Sequence, residues 1–243
     1  MTAAPPPTPR SRRERPAKPA LSRDGIVAVA VEVMRAEGLE RVTMRRLAQE
    51  LDTGAASLYV YVRNTAELHA AILDELLGEV DLGPVRATGD WRARLATVLT
   101  SYTAVLFEHP GLARSALVAR PSGAHYLDLL EALLALLAEG GVPAERAAWA
   151  VDVLLQLATA SAAEHATRGE ADHARTSAEM DALGTALSGA DPARHPQLAA
   201  LGTELLSGTG QDRLAWSLQV LISGILQTPR PDRSDDPERP EEY

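Results

Sequence analysis

The 243-residue sequence predicts an all-α protein, with a small three-helix head that contains a bent helical pair and a larger helical body behind it. Three observations carry that prediction. Apolar residues recur at three- and four-residue spacing from about residue 22 to 227. No alternating apolar and polar run of the strand type competes. Capping residues, Gly and Pro separate the helical stretches.

Residues 1–20 are rich in Pro and Ala, carry Arg10, Arg12, Arg13, Arg15 and Lys18, and show no apolar periodicity, so they are expected to be disordered when free. Such a basic arm either reaches into a minor groove or is an inert tail. Ser22 then caps a helix to Glu37, with Ile26, Ala30, Val33 and Met34 on one face and Gly38 as its stop. Thr43 caps a second helix whose inner face is Leu47, Ala48 and Leu51. A turn follows at Asp52 to Gly54, and a further helix over Ala55 to Val62 turns Leu58 and Val62 inward. Asn64 or Thr65 opens the next helix, which carries Leu68, Ile72, Leu76 and Val80.

The bent pair suits the presentation of a helix to the DNA major groove. Arg45 and Arg46 stand at the entrance of the first of its helices, where phosphate oxygens are met, and Arg45 is the candidate guanine reader because Arg addresses O6 and N7 together. The solvent side of the second helix offers Ala55, Ala56, Ser57, Tyr59 and Val60, a set that reads bases through methyl groups and one hydroxyl. Tyr61 is either a phosphate contact or a packing residue of the head. Thr43, Arg63 and Thr65 complete the candidate DNA-binding set.

The stretches GLERVTMRRLA at 38–48, LYVYV at 58–62 and NTAEL at 64–68 together resemble the amino-terminal DNA-binding domain of the tetracycline repressor (TetR) family of bacterial transcriptional regulators. The resemblance runs from Asp24 to Leu76, about a quarter of the chain. It implies that Ala55 to Val62 is the recognition helix, that Tyr59 sets its hydroxyl on a phosphate, and that the helix after it links the head to a ligand-sensing body. Two positions depart from the family pattern. Asp52 stands where the turn usually has Gly, and Asp tolerates the left-handed region better than most residues. Thr65 stands where the family often has Lys, leaving amides, a hydroxyl and the helix dipole to meet a phosphate there.

Charge is divided along the chain. The net charge is −9, yet residues 1–64 carry eleven Arg or Lys against seven Asp or Glu, a balance of +4, while residues 65–243 carry 13 against 26. A basic head on an acidic body places the attraction for phosphate where the bent pair lies. The absence of cysteine excludes disulfides, thiolate metal sites and a cysteine nucleophile together. No apolar run has the length of a membrane span, so a cytoplasmic protein with no membrane partner is expected.

After a Gly- and Pro-containing joint at 81–90, helices are expected at about 90–108, 111–118, 122–139, 143–168, 171–187, 192–206 and 210–227. The domains are therefore 1–20 (arm), 21–80 (head and linking helix), 81–228 (body) and 229–243 (a Pro-rich acidic tail, expected to be disordered). Ala147 to Ala163 and Leu214 to Leu226 are apolar on more than one face and must be covered on both sides. By the resemblance they are the helices of a twofold dimer, with Ala147, Val151, Leu154, Ala158, Leu214, Leu218, Leu221 and Ile225 as interface candidates; alternatively these residues are buried within one subunit. The resemblance also places a ligand pocket inside the body, with Tyr102, Phe107, His125, Tyr126, Trp149, Asp152, Gln156 and Thr159 as candidate lining.

No catalytic residues, cofactor or metal site are expected. Glu164, His165, Glu170, Asp172 and His173 form the densest group of possible metal ligands, but Gly169 marks a polar loop there. No nucleophile elbow, zinc-protease helix or phosphate-cradling loop occurs. The expected function is a homodimeric repressor released from a near-palindromic double-stranded DNA operator by a small-molecule effector. The alternatives are an activator or ligand-independent regulator of the same fold, and a helical adaptor or enzyme with a vestigial head.

Overall fold

The computed structural model describes residues 20–119, 121–167 and 173–231, and among them it contains eleven α-helices and no strand. The head is built from α1 (Arg23–Glu37), α2 (Met44–Glu50), α3 (Ala55–Leu58) and the first turns of α4 (Thr65–Leu77). Its helix ends are set by local hydrogen bonds. The side chains of Ser22, Thr43 and Asn64 accept from the N–H groups of Gly25, Arg46 and Glu67 at 3.1, 3.1 and 2.8 Å. Each satisfies an amide that the helix itself leaves open. Gly38, at φ 90°, ends α1 by donating to the Met34 carbonyl at 2.8 Å.

Asp52 takes the left-handed conformation, φ 47°, and so does the work of the expected Gly in the turn. Ile26, Leu47, Leu58, Val62, Leu68 and Ile72 are fully buried and form the head core. The second helix of the bent pair is shorter than Ala55 to Val62: α3 ends at Leu58, and a turn closes as the N–H groups of Tyr61 and Val62 donate to the Leu58 carbonyl at 2.9 and 3.0 Å. The chain straightens there because Asn64, the cap of α4, is extended at φ −160°.

The body comprises α5 (Trp91–Glu108), α6 (Pro110–Ala116), α7 (Ala124–Glu139), α8 (Ala144–Thr167), α9 (His173–Ser188), α10 (Pro196–Leu201) and α11 (Gly210–Gln227). α5, α6 and α7 pack against α8, and α11 lies along α8 and α5. The expected 192–206 helix is broken: α10 stops at Leu201, and Gly202, at φ 51°, starts a 3-10 segment to Leu206. That segment, α9 and α10 pack on one another and leave Met180, Leu183, Leu201 and Leu205 exposed. The joint at 81–90 is held rather than loose. The buried Arg94 pairs with Glu139 and donates to the Ala87 carbonyl at 2.8 Å, tying the 3-10 turn Gly83–Arg86 to α5 and α7.

Within the subunit the dimer candidates named from the sequence divide into buried and half-buried positions. Ala147, Val151, Leu154 and Ala158 are buried inside the subunit on α8, which packs on α5 and α6; Leu218 is buried on α11, which packs on α8 and α5, and Leu214, Leu221 and Ile225 are half-buried against the same core. The exposed apolar residues on these helices are instead Trp149 and Val153 of α8 and Trp216 and Val220 of α11. An all-round apolar helix has no unique phase in its sequence, so packing against α5 and α6 decides which stripe turns inward. Arg10, Arg12 and Arg13 lie outside the described residues, as do most of the 229–243 tail and the Glu170 and Asp172 of the ligand-like group. No described helix is long and apolar enough to cross a membrane.

Candidate nucleic-acid interface and effector cavity

The head presents its candidate side chains in two groups. Tyr59, Val60 and Tyr61 are exposed after α3 at 52%, 80% and 36%, too much apolar surface to be left outside without a partner, and Ala56 and Ser57 are exposed beside them. Tyr61 is therefore not a core residue; Val62 takes that place. Ala55 is half-buried and packs on the head core. Thr43, Arg45 and Thr65 are exposed at the starts of α2 and α4.

The two arginines of α2 are not equivalent. Arg46 is half-buried and pairs with both Glu37 of α1 and Glu50 of its own helix. Those hydrogen bonds raise its pKa and lower that of Glu37. Arg46 thus clamps α2 to α1, and Arg45 is the arginine left on the open surface. Arg63 is 85% exposed and is steadied by Glu67, whose carboxylate accepts from both its Nε at 3.0 Å and its backbone N–H at 2.9 Å. These bonds hold the Glu67 carboxyl below its usual pKa.

A cavity of about 280 Å³ lies between α4, α5, α6, α7 and α8. It is lined by Tyr102, Tyr126, Asp152, Gln156 and Thr159, all expected from the sequence, together with Leu73, Leu77, Leu155, Ala116, Leu117, Ala119 and Pro121, which are not. The missed signal was a second i, i+4 pair on α4, Leu73 and Leu77, offset by one residue from the Leu68, Ile72 and Leu76 stripe. In the buried wall the Tyr102 hydroxyl and Thr159 Oγ1 are 2.7 Å apart, and at the exposed rim Gln156 Nε2 donates to Asp152 Oδ2 at 2.8 Å. Mostly apolar walls with a few fixed polar groups suit a small organic molecule.

Three candidates for the lining stand elsewhere. Phe107 stacks on His165 with ring centroids 4.5 Å apart. Trp149 is 54% exposed on the outer side of α8, with the Arg230 guanidinium 5.3 Å from its ring centroid. His125 turns to α4, its Nδ1 being 3.0 Å from the Asp74 carbonyl oxygen. Among the described residues one group has metal-ligand geometry, Glu79, Glu108 and His109, with donor atoms within 4.8 Å of one another. Glu79 is already paired with Arg35, and the two carboxylates are exposed.

The architecture of a helix-turn-helix head joined by α4 to a cavity-bearing helical body agrees with comparisons against known proteins. Residues 26–72 match the model of bacterial regulatory proteins of the tetR family, and residues 83–228 match the tetracyclin repressor-like C-terminal domain. The chain belongs to the TetR family of transcriptional regulators. As a TetR-family chain it is 29% identical over 222 residues to the HTH-type transcriptional repressor DrrR1 of Streptomyces coeruleorubidus, covering 88% of this chain and 80% of that one. Among solved structures, the Streptomyces transcription regulator SCO7704 is 59% identical with a TM-score of 0.74, covering 89% of this chain and all of that one. ActR of Streptomyces coelicolor in complex with actinorhodin is 34% identical with a TM-score of 0.74, over 86% and 96% of the two chains. The matched family models and relatives are DNA-binding transcriptional regulators, DrrR1 being a repressor by name and ActR having been solved with a bound small molecule.

Proposed function

We propose that this regulator is a repressor that works as a homodimer on a near-palindromic operator and is released from it by a small molecule that enters the cavity between α4 and α8. The observation that carries this reading is the double membership of α4. Its Leu68 and Ile72 belong to the head core, and its Leu73 and Leu77 are part of the cavity wall. Material in the cavity therefore pushes on the same rod that carries the head. An effector moves the head only through a difference in affinity between the two positions of that rod.

The outer faces of α8 and α11, with Trp149, Val153, Trp216 and Val220, supply the surface on which two copies meet. A twofold pair of heads spaced about 34 Å apart reads two inverted half-sites one DNA turn apart. Tyr59, Val60, Ser57 and Arg45 face the groove, and the Arg10, Arg12 and Arg13 arm adds contacts to the backbone or minor groove. The likeness to ActR makes actinorhodin a first compound to try as effector. The test is footprinting on an operator selected from random-sequence DNA, followed by titration with candidate compounds. Protection of two inverted half-sites, lost on adding one compound, is the expected result; protection of no particular nucleotides overturns the reading.

A further inference from the structure

α4 and α7 are fastened together beside the cavity. Asp74 Oδ1 of α4 accepts from the Tyr126 N–H at 3.0 Å, so a carboxylate of one helix sits on the first turn of the other. The residue at the N-cap position of α7 is Gly123, which has no side chain with which to cap it. First-turn amides lack partners inside their own helix and carry the positive end of its dipole, so a carboxylate there is held by both charge and hydrogen bond. The other oxygen, Oδ2, presses on Gly123, where an added Cβ would lie 1.9 Å from it. Gly123 has φ −87°, open to any residue, so glycine is required here by the space the carboxylate occupies.

A second contact runs alongside. His125 Nδ1 donates to the main-chain oxygen of Asp74 at 3.0 Å; the carbonyl can only accept, which places a proton on Nδ1. That carbonyl is open because the Gly78 N–H turns to the Glu75 oxygen at 3.2 Å. The far side of the ring lies against Gly78, where a Cβ would be 3.0 Å from Nε2.

The position of this fastening gives it a consequence. Tyr126, whose N–H Asp74 holds, lines the cavity with Leu73, the residue preceding Asp74 on α4. Asp74 itself faces a separate crevice between head and body, which it shares with Gly123, Val118, Arg63 and Asn64. We propose that Asp74 is the positioning residue that couples the cavity to the head: it makes α4 follow the first turn of α7, and Tyr126 makes that turn follow what the cavity contains. This inference rests on the reading of the cavity as the effector site.

A cavity-filling side chain stands in for the effector in the test. Ala160→Phe at the exposed rim and, independently, Ala116→Met from the α6 wall are each made in the full chain. Each is then combined with Asp74→Ala, Asp74→Asn or Gly123→Ala, and affinity for the selected operator is measured by fluorescence anisotropy. Filling is expected to weaken operator binding about tenfold, within the usual range of coupling between sites, and by less than about twofold in the Asp74→Ala and Gly123→Ala backgrounds. Asp74→Asn, which keeps an acceptor for the Tyr126 N–H, is expected to restore most of the effect.

If filling weakens binding equally with and without Asp74, the proposal fails while the effector site stands. If neither filled variant alters operator binding in any background, the effector-site reading fails and takes the proposal with it. A purely structural Asp74 would lower the unfolding temperature and leave the ratio between filled and unfilled variants unchanged, which also overturns the proposal.

Discussion

The Tyr102 hydroxyl and Thr159 Oγ1 stand 2.7 Å apart in the seam between α5 and α8, both residues being buried. Burial pushes the phenol pKa up to about 12, against the smaller opposite effect of the Thr159 hydrogen bond, so Tyr102 stays neutral at any pH at which the protein functions. The pair gives the cavity wall a fixed polar spot whose cost of burial is already met within the fold.

Tyr102→Phe and Thr159→Val each leave one buried hydroxyl without this partner. Each is expected to cost about 1–2 kcal/mol and to lower the unfolding temperature by roughly 2–8 °C for a chain of this size. The double variant removes both polar groups and is expected to be nearer wild type than the sum of the two. Calorimetry on the four proteins checks this; strict additivity would show that the two hydroxyls do not interact.

The two neighbouring arginines of α2 are expected to separate. Arg45→Ala should weaken operator binding by about 1–3 kcal/mol and relax preference at one base position, as loss of a base-reading arginine does. Arg46→Ala should lower the unfolding temperature of the head by releasing Glu37 and Glu50, with less effect on base preference. Binding to a library of single-base operator variants distinguishes them, and uniform weakening by Arg45→Ala would make that residue a phosphate contact.

The association surface is tested by contrast. Trp216→Glu on α11 and Val153→Glu on α8, both at exposed positions, should yield folded monomers in analytical ultracentrifugation. Leu154→Ala, at a fully buried position of α8, should instead cost about 2–5 kcal/mol of stability and leave the association state unchanged. Intact dimers in both glutamate variants would place the interface elsewhere, with the exposed Met180 and Leu183 face of α9 next in line.

His69 of α4 is half-buried, with Nδ1 3.3 Å from Ser115 Oγ of α6, and desolvation lowers its pKa below the ordinary 6.5. The unfolded chain therefore takes up this proton first as pH falls. The contribution of His69 to stability is complete above about pH 6.5 and declines as pH drops from there toward its folded value. Urea unfolding from pH 7.5 to 5.5 should show that decline, and His69→Gln should remove it. The lowered carboxyls of Glu37, Glu67 and Asp212 act in the other window: their contribution is lost below the usual carboxylate range.

What the sequence determined on its own were the features governed by neighbours three or four residues away. Ser22, Thr43 and Asn64 cap helices because a short side chain reaches an amide one turn ahead, and Asp52 takes the turn because its backbone tolerates a positive φ. The motifs of the head are equally local, and they sufficed for its family. Tertiary structure decided what local rules leave degenerate. α8 is apolar around most of its circumference, so only packing on α5 and α6 could turn Leu154 inward and Trp149 outward. Arg46 differs from Arg45 because Glu37, nine residues before Arg46, arrives beside it only once α1 and α2 cross. The Asp74 cap on α7 joins residues 52 apart, a pairing that exists only after the chain has closed on itself, and so neither helix alone announces it.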